Sequence, residues 1–376
     1  MASPDVLDFE KLLAPIPGEN PAGAALREHR SPTAAYDRVK DARTAAREVE
    51  RNIVFDDEAG SSRAADWRPI LKLCQGVLAE ESKDLEVVAW LIEALVREHS
   101  FAGLRDGFRL VRELVQRYWD QLYPLPDEDG LVTRVAPLAG LNGVDADGVL
   151  VSPIFNAPVT KAGSYRALSV SDYRQAIDLD RVDDPEKREN RLSQGAVSMQ
   201  MFERAVSEAG PQFFADLMED INQCMQEYAG LCEVLEEKCG QGEGGYPLAP
   251  PSSNIRNALL ACKETVESAA GPLLQTEPPP EGEGEEDGRA MVHVPEGSGV
   301  AMRRVQTREE AFRALLQVAE FFKRTEPHSP VSYALEQAVR WGRMSLPDLL
   351  GELVEDPAVR AQIFRLVGIP DREGNE

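Results

Sequence analysis

The stretch from residue 82 to residue 130 constrains the fold more than any other part of the chain. Apolar residues recur there at three- and four-residue steps in two successive runs, 85–96 and 104–118. This spacing is the period of an amphipathic helix, and a Gly-containing turn separates the two runs. Two such helices joined by a short turn must bury their apolar faces against further helices. The stretch therefore predicts a helical hairpin at the core of a helical domain.

The same helical period returns along most of the remaining chain, which predicts an all-α protein with several domains. Further helices are expected within 31–51, 67–79, 134–141, 172–177, 192–239, 253–269 and 307–368. One segment differs: residues 149–160 are apolar and β-branched, and Pro153 and Pro158 interrupt them. This pattern predicts a short extended segment near 149–160.

Composition divides the chain into four parts. Residues 275–300 are rich in Pro, Gly and Glu and contain seven acids and one arginine, so they cannot bury a core. We expect an N-terminal helical domain over 1–170, a middle helical domain over 171–272, a flexible acidic linker over 273–302 and a C-terminal helical unit over 303–376. The C-terminal unit has only a small apolar core, and such a unit often gains stability by self-association.

The charge balance limits the partners that the chain can have. The chain carries 65 acidic and 41 basic residues, for a formal net charge of -24. A broad basic surface that binds nucleic acid or an anionic membrane is therefore not expected. The acidic balance instead suits partners that carry basic patches. No apolar run is long enough to span a membrane, and no N-terminal signal is visible. One local exception is a stripe of Arg43, Arg47 and Arg51, which is either a contact for an acidic partner or a solvated helix face.

The sequence contains no recognisable catalytic or metal-binding motif. The five cysteines form no CxxC pair, and this pattern favours buried thiols in a reducing cytoplasm. No GxSxG, HExxH or phosphate-loop pattern occurs. We expect no enzyme activity, no cofactor and no metal. The alternative from another class is a hydrolase-like enzyme that uses His99 or His328, which requires a nucleophile within reach of either histidine.

Several short motifs follow one another along the chain in a fixed order. They are PIPGENPAG from Pro15, AR and ER on the first long helix, DW at Asp66, SKDLEV from Ser82, GLRDGF from Gly103, YWD and YP after it, then DEDG and LNG up to Asn142. This ordered set resembles the TssA proteins of the bacterial type VI secretion system, with their ImpA-type N-terminal domain. The later EPHSP turn followed by Trp341 is similar to the tail of the shorter TssA forms.

The resemblance implies a cytoplasmic structural protein. TssA proteins help to assemble a contractile tail, contact baseplate proteins and, in some members, tube and sheath proteins, and form rings through the C-terminal domain. The expected partners are therefore the protein itself and the baseplate, tube and sheath proteins, with no nucleic acid and no membrane insertion. The role within the family stays open between a baseplate-associated scaffold and a cap that polymerises the sheath at its distal end.

The motif positions supply the candidate site residues. Candidates for partner contact or family-motif roles are Pro15, Gly18, Asn20, Pro21, Gly23, Arg43, Arg51, Trp67, Ser82, Lys83, Asp84, Gly107, Trp119, Asp129 and Asn142. Candidates for self-association are Phe322, Pro327, His328, Pro330 and Trp341. The polar run at Ser82 and the aromatic exit after Trp119 are expected to lie near the Pro15–Gly23 loop.

Overall fold

A computed structural model of the chain describes residues 2–28, 31, 33–55, 65–128, 130–242, 244–274, 308–325, 330–344, 349 and 352. Within these residues the secondary structure is helical, and the β-type pairings are isolated bridges. The all-α prediction is therefore confirmed. The chain forms two compact units, 1–281 and 282–376.

The N-terminal unit contains eleven α-helices among the described residues. They are α1 (Phe9–Leu13), α2 (Ala35–Phe55), α3 (Arg68–Glu80), α4 (Leu85–Tyr118), α5 (Leu131–Asn142), α6 (Val151–Asn156), α7 (Val170–Asp180), α8 (Pro185–Ser193), α9 (Met199–Ala209), α10 (Pro211–Cys239) and α11 (Ser253–Leu274). A 3-10 turn (Leu26–Glu28) lies between α1 and α2.

The predicted helical hairpin is α4, and its turn is at Ser100. Ser100 has φ 52° and ψ −137°, so it breaks α4 into two arms, 85–99 and 101–118. A Cβ atom added at Gly107 would lie 2.8 Å from Cγ1 of Ile92. In an unbroken helix, fifteen residues would separate these positions by about 22 Å. The arms therefore run back along each other, and Gly107 lets them approach closely.

The hairpin is the centre of the hydrophobic core. Helix α3, which precedes α4 in the chain, packs against α4, and so does the much later helix α10. The rings of Phe108 on α4 and Tyr228 on α10 are 4.7 Å apart between centroids. The segments predicted as N-terminal and middle domains thus share one core within the N-terminal unit.

The segment near 149–160 is extended only at its end, so the sequence prediction was wrong for most of it. Residues Val151–Asn156 form α6. Pro153 is compatible with this helix because it stands in the first turn, where a backbone N–H has no helical acceptor. Extended chain follows, and the N–H of Val159 donates to the carbonyl of Leu168 at 2.7 Å.

The C-terminal unit contains two described helices, α12 (Arg308–Thr325) and α13 (Pro330–Arg343). They pack against each other and bury Ala319 and Val339. Lys323 on α12 forms an ion pair with Glu336 on α13 at 2.5 Å. Across all the residues that the structure describes, no helix combines the length and the apolar character that a membrane span requires.

Candidate partner-binding site

Three of the sequence motifs meet in space at one end of the α4 hairpin. The N–H of Lys83 donates to the carbonyl of Ala22 at 2.8 Å, and the N–H of Tyr123 donates to the carbonyl of Lys83 at 3.0 Å. The N–H of Leu85 completes the arrangement by donating to the carbonyl of Tyr123 at 2.7 Å. Residues 82–85 therefore lie between the 15–23 loop and the 123–124 segment. We call this arrangement the motif junction.

Gly23 is required at the motif junction because two backbone segments touch there. It has φ +83°, a conformation that side chains disfavour, and an added Cβ would lie 2.2 Å from the carbonyl oxygen of Glu81. Asn20 closes the same loop: its Oδ1 accepts from the N–H of Ala22 at 3.0 Å and its Nδ2 donates to the hydroxyl of Tyr123 at 3.1 Å. The glycine and the asparagine of the PIPGENPAG motif thus shape the loop.

Lys83 is fully buried beneath this loop. Its Nζ donates to the carbonyl oxygens of Leu12 and Leu78, both at 2.7 Å. Leu78 lies in the last turn of α3, where carbonyls lack helical donors and the helix dipole favours a cation. Burial lowers the pKa of Lys83 to about 8. The lysine therefore ties α1 to the end of α3 and is not available to a partner in this conformation.

Asp84 is the buried member of a half-buried ion cluster at the start of α4. Its carboxylate accepts from the N–H of Glu86 at 2.8 Å, which caps the helix, and from Arg27 at 2.8 Å. Burial raises the pKa of Asp84, and the nearby Arg27 opposes this shift. Glu86 also accepts from the Tyr36 hydroxyl at 2.7 Å. Burial, followed by this hydrogen bond, raises the pKa of Tyr36 to about 12.

A second cluster joins α2 to the first arm of α4 and to Trp67. Arg43 on α2 donates from Nε and a terminal nitrogen to Oε1 of the buried Glu93, at 2.9 and 2.6 Å. Arg97 forms an ion pair with Glu50 at 2.6 Å and lies 4.0 Å from the centroid of the Trp67 ring. The Trp67 indole also donates to Glu50 at 2.8 Å.

Asn142 and Trp119 also make contacts within the N-terminal unit. Oδ1 of Asn142 accepts from the N–H of Ile255 at 3.0 Å, so the LNG motif caps the start of α11 from more than one hundred residues away. Trp119 is half-buried, and the guanidinium of Arg134 lies 4.9 Å from its ring centroid. Both residues therefore hold segments of the unit together.

Solvent exposure divides the candidate contact residues into two groups. Six are buried and internal to the unit: Trp67, Ser82, Lys83, Asp84, Gly107 and Asn142. Eight are half-buried or exposed: Pro15, Gly18, Asn20, Pro21, Gly23, Arg43, Arg51 and Trp119. Asp129, Pro327, His328 and the side chains of Phe322 and Pro330 lie outside the described structure. Trp341 is half-buried on α13, and its indole donates to Glu352 at 3.3 Å.

Sequence reasoning missed the charged pair in the middle of the GLRDGF motif. Asp106 is fully buried and accepts from the N–H groups of Val6 and Leu7 at 2.6 and 3.2 Å. Arg105 pairs with Asp106 at 2.8 Å and donates to the carbonyl of Ser3 at 2.7 Å. The pair fastens the N-terminal segment to α4. The sequence feature that could have indicated this pair is two adjacent charged residues, Arg105 and Asp106, within a helix predicted to lie in the core.

The described residues do not bring together a catalytic or metal-binding set. Among them, no group of three or more His, Cys, Asp or Glu side chains is placed to hold a metal ion. Burial raises the pKa of the thiols of Cys74, Cys224 and Cys262, which makes them poor nucleophiles. His99 is exposed beside the hairpin turn. His328 lies outside the described residues.

Comparison with known proteins connects this geometry to a family. Residues 13–143 match the family model described as ImpA, N-terminal, type VI secretion system. The chain is 25% identical over 366 residues to the type VI secretion system component TssA1 of Pseudomonas aeruginosa, covering 96% of this chain and 98% of that protein. The chain is similar to a TssA component over nearly its whole length, and its residues 13–143 match the ImpA-type N-terminal region.

A solved structure supports the fold of the N-terminal unit. It is the N-terminal domain, including the conserved ImpA_N region, of the TssA component of the type VI secretion system from Burkholderia cenocepacia. The two structures superpose with a TM-score of 0.59 at 24% identity, covering 72% of this chain and 96% of that chain. The motif junction lies within the family match, from the loop at Pro15 to the segment at Tyr123. Many of the motif residues that carry the resemblance therefore pack the unit or shape its loops.

Proposed function

We propose that this protein is a cytoplasmic scaffold that associates with the baseplate of a type VI secretion apparatus and helps to assemble its contractile tail. The observation that carries the proposal is the likeness to a type VI secretion component over nearly the full length of both chains. In this proposal the N-terminal unit contacts baseplate, tube or sheath proteins, and the C-terminal unit joins copies of the chain into a ring. No catalytic step is assigned to it.

Exposed apolar side chains support self-association through the C-terminal unit. Leu316 and Val318 on α12 and Val331 and Tyr333 on α13 are all among the exposed large apolar residues, and Tyr333 is 62% exposed. Among the described residues of this unit, the buried apolar side chains are Ala319 and Val339, and a small unit buries little apolar surface of its own. A unit of this size that leaves several apolar side chains in water gains stability when copies cover them.

The mass of the intact oligomer tests this part of the proposal. We expect Val318→Glu combined with Tyr333→Glu to lower the mass measured by light scattering or native mass spectrometry. Val132→Glu combined with Val144→Glu adds the same charge at positions that are 58% and 72% exposed on the N-terminal unit. This control should leave the mass unchanged. A monomeric wild-type chain, or a mass that neither pair alters, would contradict ring formation through the C-terminal unit.

Partner capture and imaging test the role in the apparatus. Baseplate proteins should be retained by the full chain and by a fragment of residues 1–281, since that range is one compact unit. A fluorescent fusion in cells should form a focus that stays at the baseplate end while the sheath extends. A focus that travels with the far end of the sheath would instead assign the chain to the distal cap.

A further inference from the structure

A large basic cleft opens on the N-terminal unit, between the arginine stripe of α2 and the segment that contains α6 and the start of α7. Its volume is about 1170 Å³. Five arginines line it, against two acidic residues, Glu50 and Asp147. The arginines are Arg43, Arg47, Arg51, Arg97 and Arg174. This excess of positive charge is unusual in a chain with a net charge of -24.

Within the described part of the chain, two of the five arginines form ion pairs with carboxylates and three do not. Arg43 and Arg97 are paired with Glu93 and Glu50. Among the described residues, no carboxylate forms an ion pair with the other three arginines of the cleft: Arg47, Arg51 and Arg174. The positive charge that remains in the cleft is therefore available to a ligand.

A bound anion would compensate the half-buried charge of Arg47. The side chain is half-buried, and burial is the main cause that lowers its pKa. The nearby Glu93 and Glu50 oppose this shift, whereas Arg43 and Arg97 add to it. Burying a charge that is only partly compensated is costly, and a bound carboxylate offsets that cost. Arg174 is held differently, with its guanidinium 3.9 Å from the centroid of the Phe155 ring. A stacked guanidinium still presents its N–H edge to a carboxylate.

The remainder of the lining shows what kind of anion fits. Apolar groups lie beside the arginines, including Val96, Val151, Pro153 and Phe155. A cleft of this size is larger than most small-molecule pockets, which reach about 1,000 Å³. The mixture of guanidinium groups and apolar side chains matches a peptide that carries both carboxylates and apolar residues. A nucleic-acid backbone fits less well, because the charge of the whole chain repels a dense polyanion.

We propose that this cleft binds an acidic, partly apolar segment of a partner protein. The carboxylates of that segment pair with Arg47, Arg51 and Arg174, and its apolar side chains lie against Pro153 and Phe155. One wall comes from the ImpA-type match and the other from residues 147–174, which lie beyond that match at 13–143. The proposal does not depend on the ring or on the baseplate role.

The test measures binding of a labelled peptide to the full chain by fluorescence anisotropy. The probe is a twelve-residue peptide of glutamate, leucine and glycine, compared with the same peptide in which glutamine replaces glutamate. We expect the glutamate peptide to bind at least tenfold more tightly. Raising the salt concentration should weaken its binding, because partly exposed charge pairs are screened.

Matched variants locate the site. Arg47→Gln combined with Arg174→Gln should weaken binding of the glutamate peptide about tenfold or more. Arg256→Gln combined with Arg313→Gln removes the same charge from exposed positions outside the cleft and should have little effect. Unchanged thermal unfolding of both double variants keeps loss of folding separate from loss of binding.

Several results would overturn the proposal. They are no binding by the wild-type chain, equal binding of the glutamine peptide, or equal losses in the two double variants. Tighter binding of a single-stranded oligonucleotide would assign the cleft to nucleic acid instead. Tighter binding of a peptide of this chain's own residues 276–288 would assign it to the protein's own acidic segment.

Discussion

Replacing Gly23 by alanine tests whether this position requires glycine because the backbone of Glu81 lies against it. The added methyl group would lie 2.2 Å from the Glu81 carbonyl oxygen and 2.9 Å from Cδ1 of Ile16. The loop can make room only by moving away from residues 81–83. This movement weakens two hydrogen bonds, from the N–H of Ala24 to Glu81 and from the N–H of Lys83 to Ala22.

The expected loss of stability follows from these contacts. Two backbone hydrogen bonds contribute about 1–3 kcal/mol together, and a positive φ costs an alanine about 1–2 kcal/mol. Gly23→Ala should therefore lower the free energy of unfolding by about 2–5 kcal/mol. Gly210 is the matched control, because it has φ +78° but no atom within 4 Å of an added Cβ. Gly210 has ψ 162°, so Gly210→Ala should lose only the cost of that backbone conformation, about 1–3 kcal/mol.

Urea unfolding followed by tryptophan fluorescence measures both losses. A Trp341→Phe background leaves Trp67, Trp90 and Trp119, so the remaining signal comes from the N-terminal unit alone. If the Gly23 and Gly210 variants lose the same stability, close backbone approach does not explain this motif. A stable Gly23 variant that no longer supports secretion would instead place a partner contact at the loop.

Three further predictions concern buried groups. The pKa of Lys83 is lowered to about 8 in the folded protein, from about 10.4 in an unfolded chain. Between these two pH values the unfolded state therefore binds more protons than the folded state. The free energy of unfolding rises with pH over that range. Lys83→Met should remove up to about 3 kcal/mol of that rise, measured as the difference between wild-type and variant unfolding near pH 7 and near pH 10. Arg43→Ala leaves the buried carboxylate of Glu93 unpaired and should cost about 3–5 kcal/mol in urea unfolding; a loss below about 1 kcal/mol would show that solvent reaches this carboxylate. Gly107→Ala places a methyl group against the other arm of α4 and should lower the melting temperature. Gly76→Ala has open space around its Cβ and should raise the free energy of unfolding by about 0.5–1 kcal/mol. Stability changes of the same sign in the two variants would contradict this reasoning.

The motif residues show how far sequence reasoning reached into the candidate site. The ordered motifs predicted that the loop at Pro15, the SKD run and the aromatic exit near Tyr123 lie close together, and the structure brings the three segments together. The motifs did not reveal that Lys83 and Asp84 point inward. A polar run beside a helix is normally solvated, and burial here depends on acceptors such as Leu12 and Leu78, which no local pattern identifies.

The arginine stripe shows the same limit from the other side. The sequence left two interpretations of Arg43, Arg47 and Arg51, a partner contact or a solvated face. Arg43 is instead committed to the buried Glu93, while Arg47 and Arg51 line a cleft. The opposite wall of that cleft includes α6, part of a segment that the sequence predicted to be extended. A proline in a first helical turn and a proline that breaks a strand look alike without their neighbours.

The sequence by itself determined the helical character of this protein, the hairpin at its centre and its resemblance to type VI secretion components. Those properties depend on spacings of three and four residues and on short motifs, which a linear chain displays directly. Only the tertiary structure decided that Ser100 makes the turn, that Gly23 and Gly107 serve close approach, and that five arginines share one cleft. These properties depend on contacts between distant residues, and packing of the whole unit sets the distances between them.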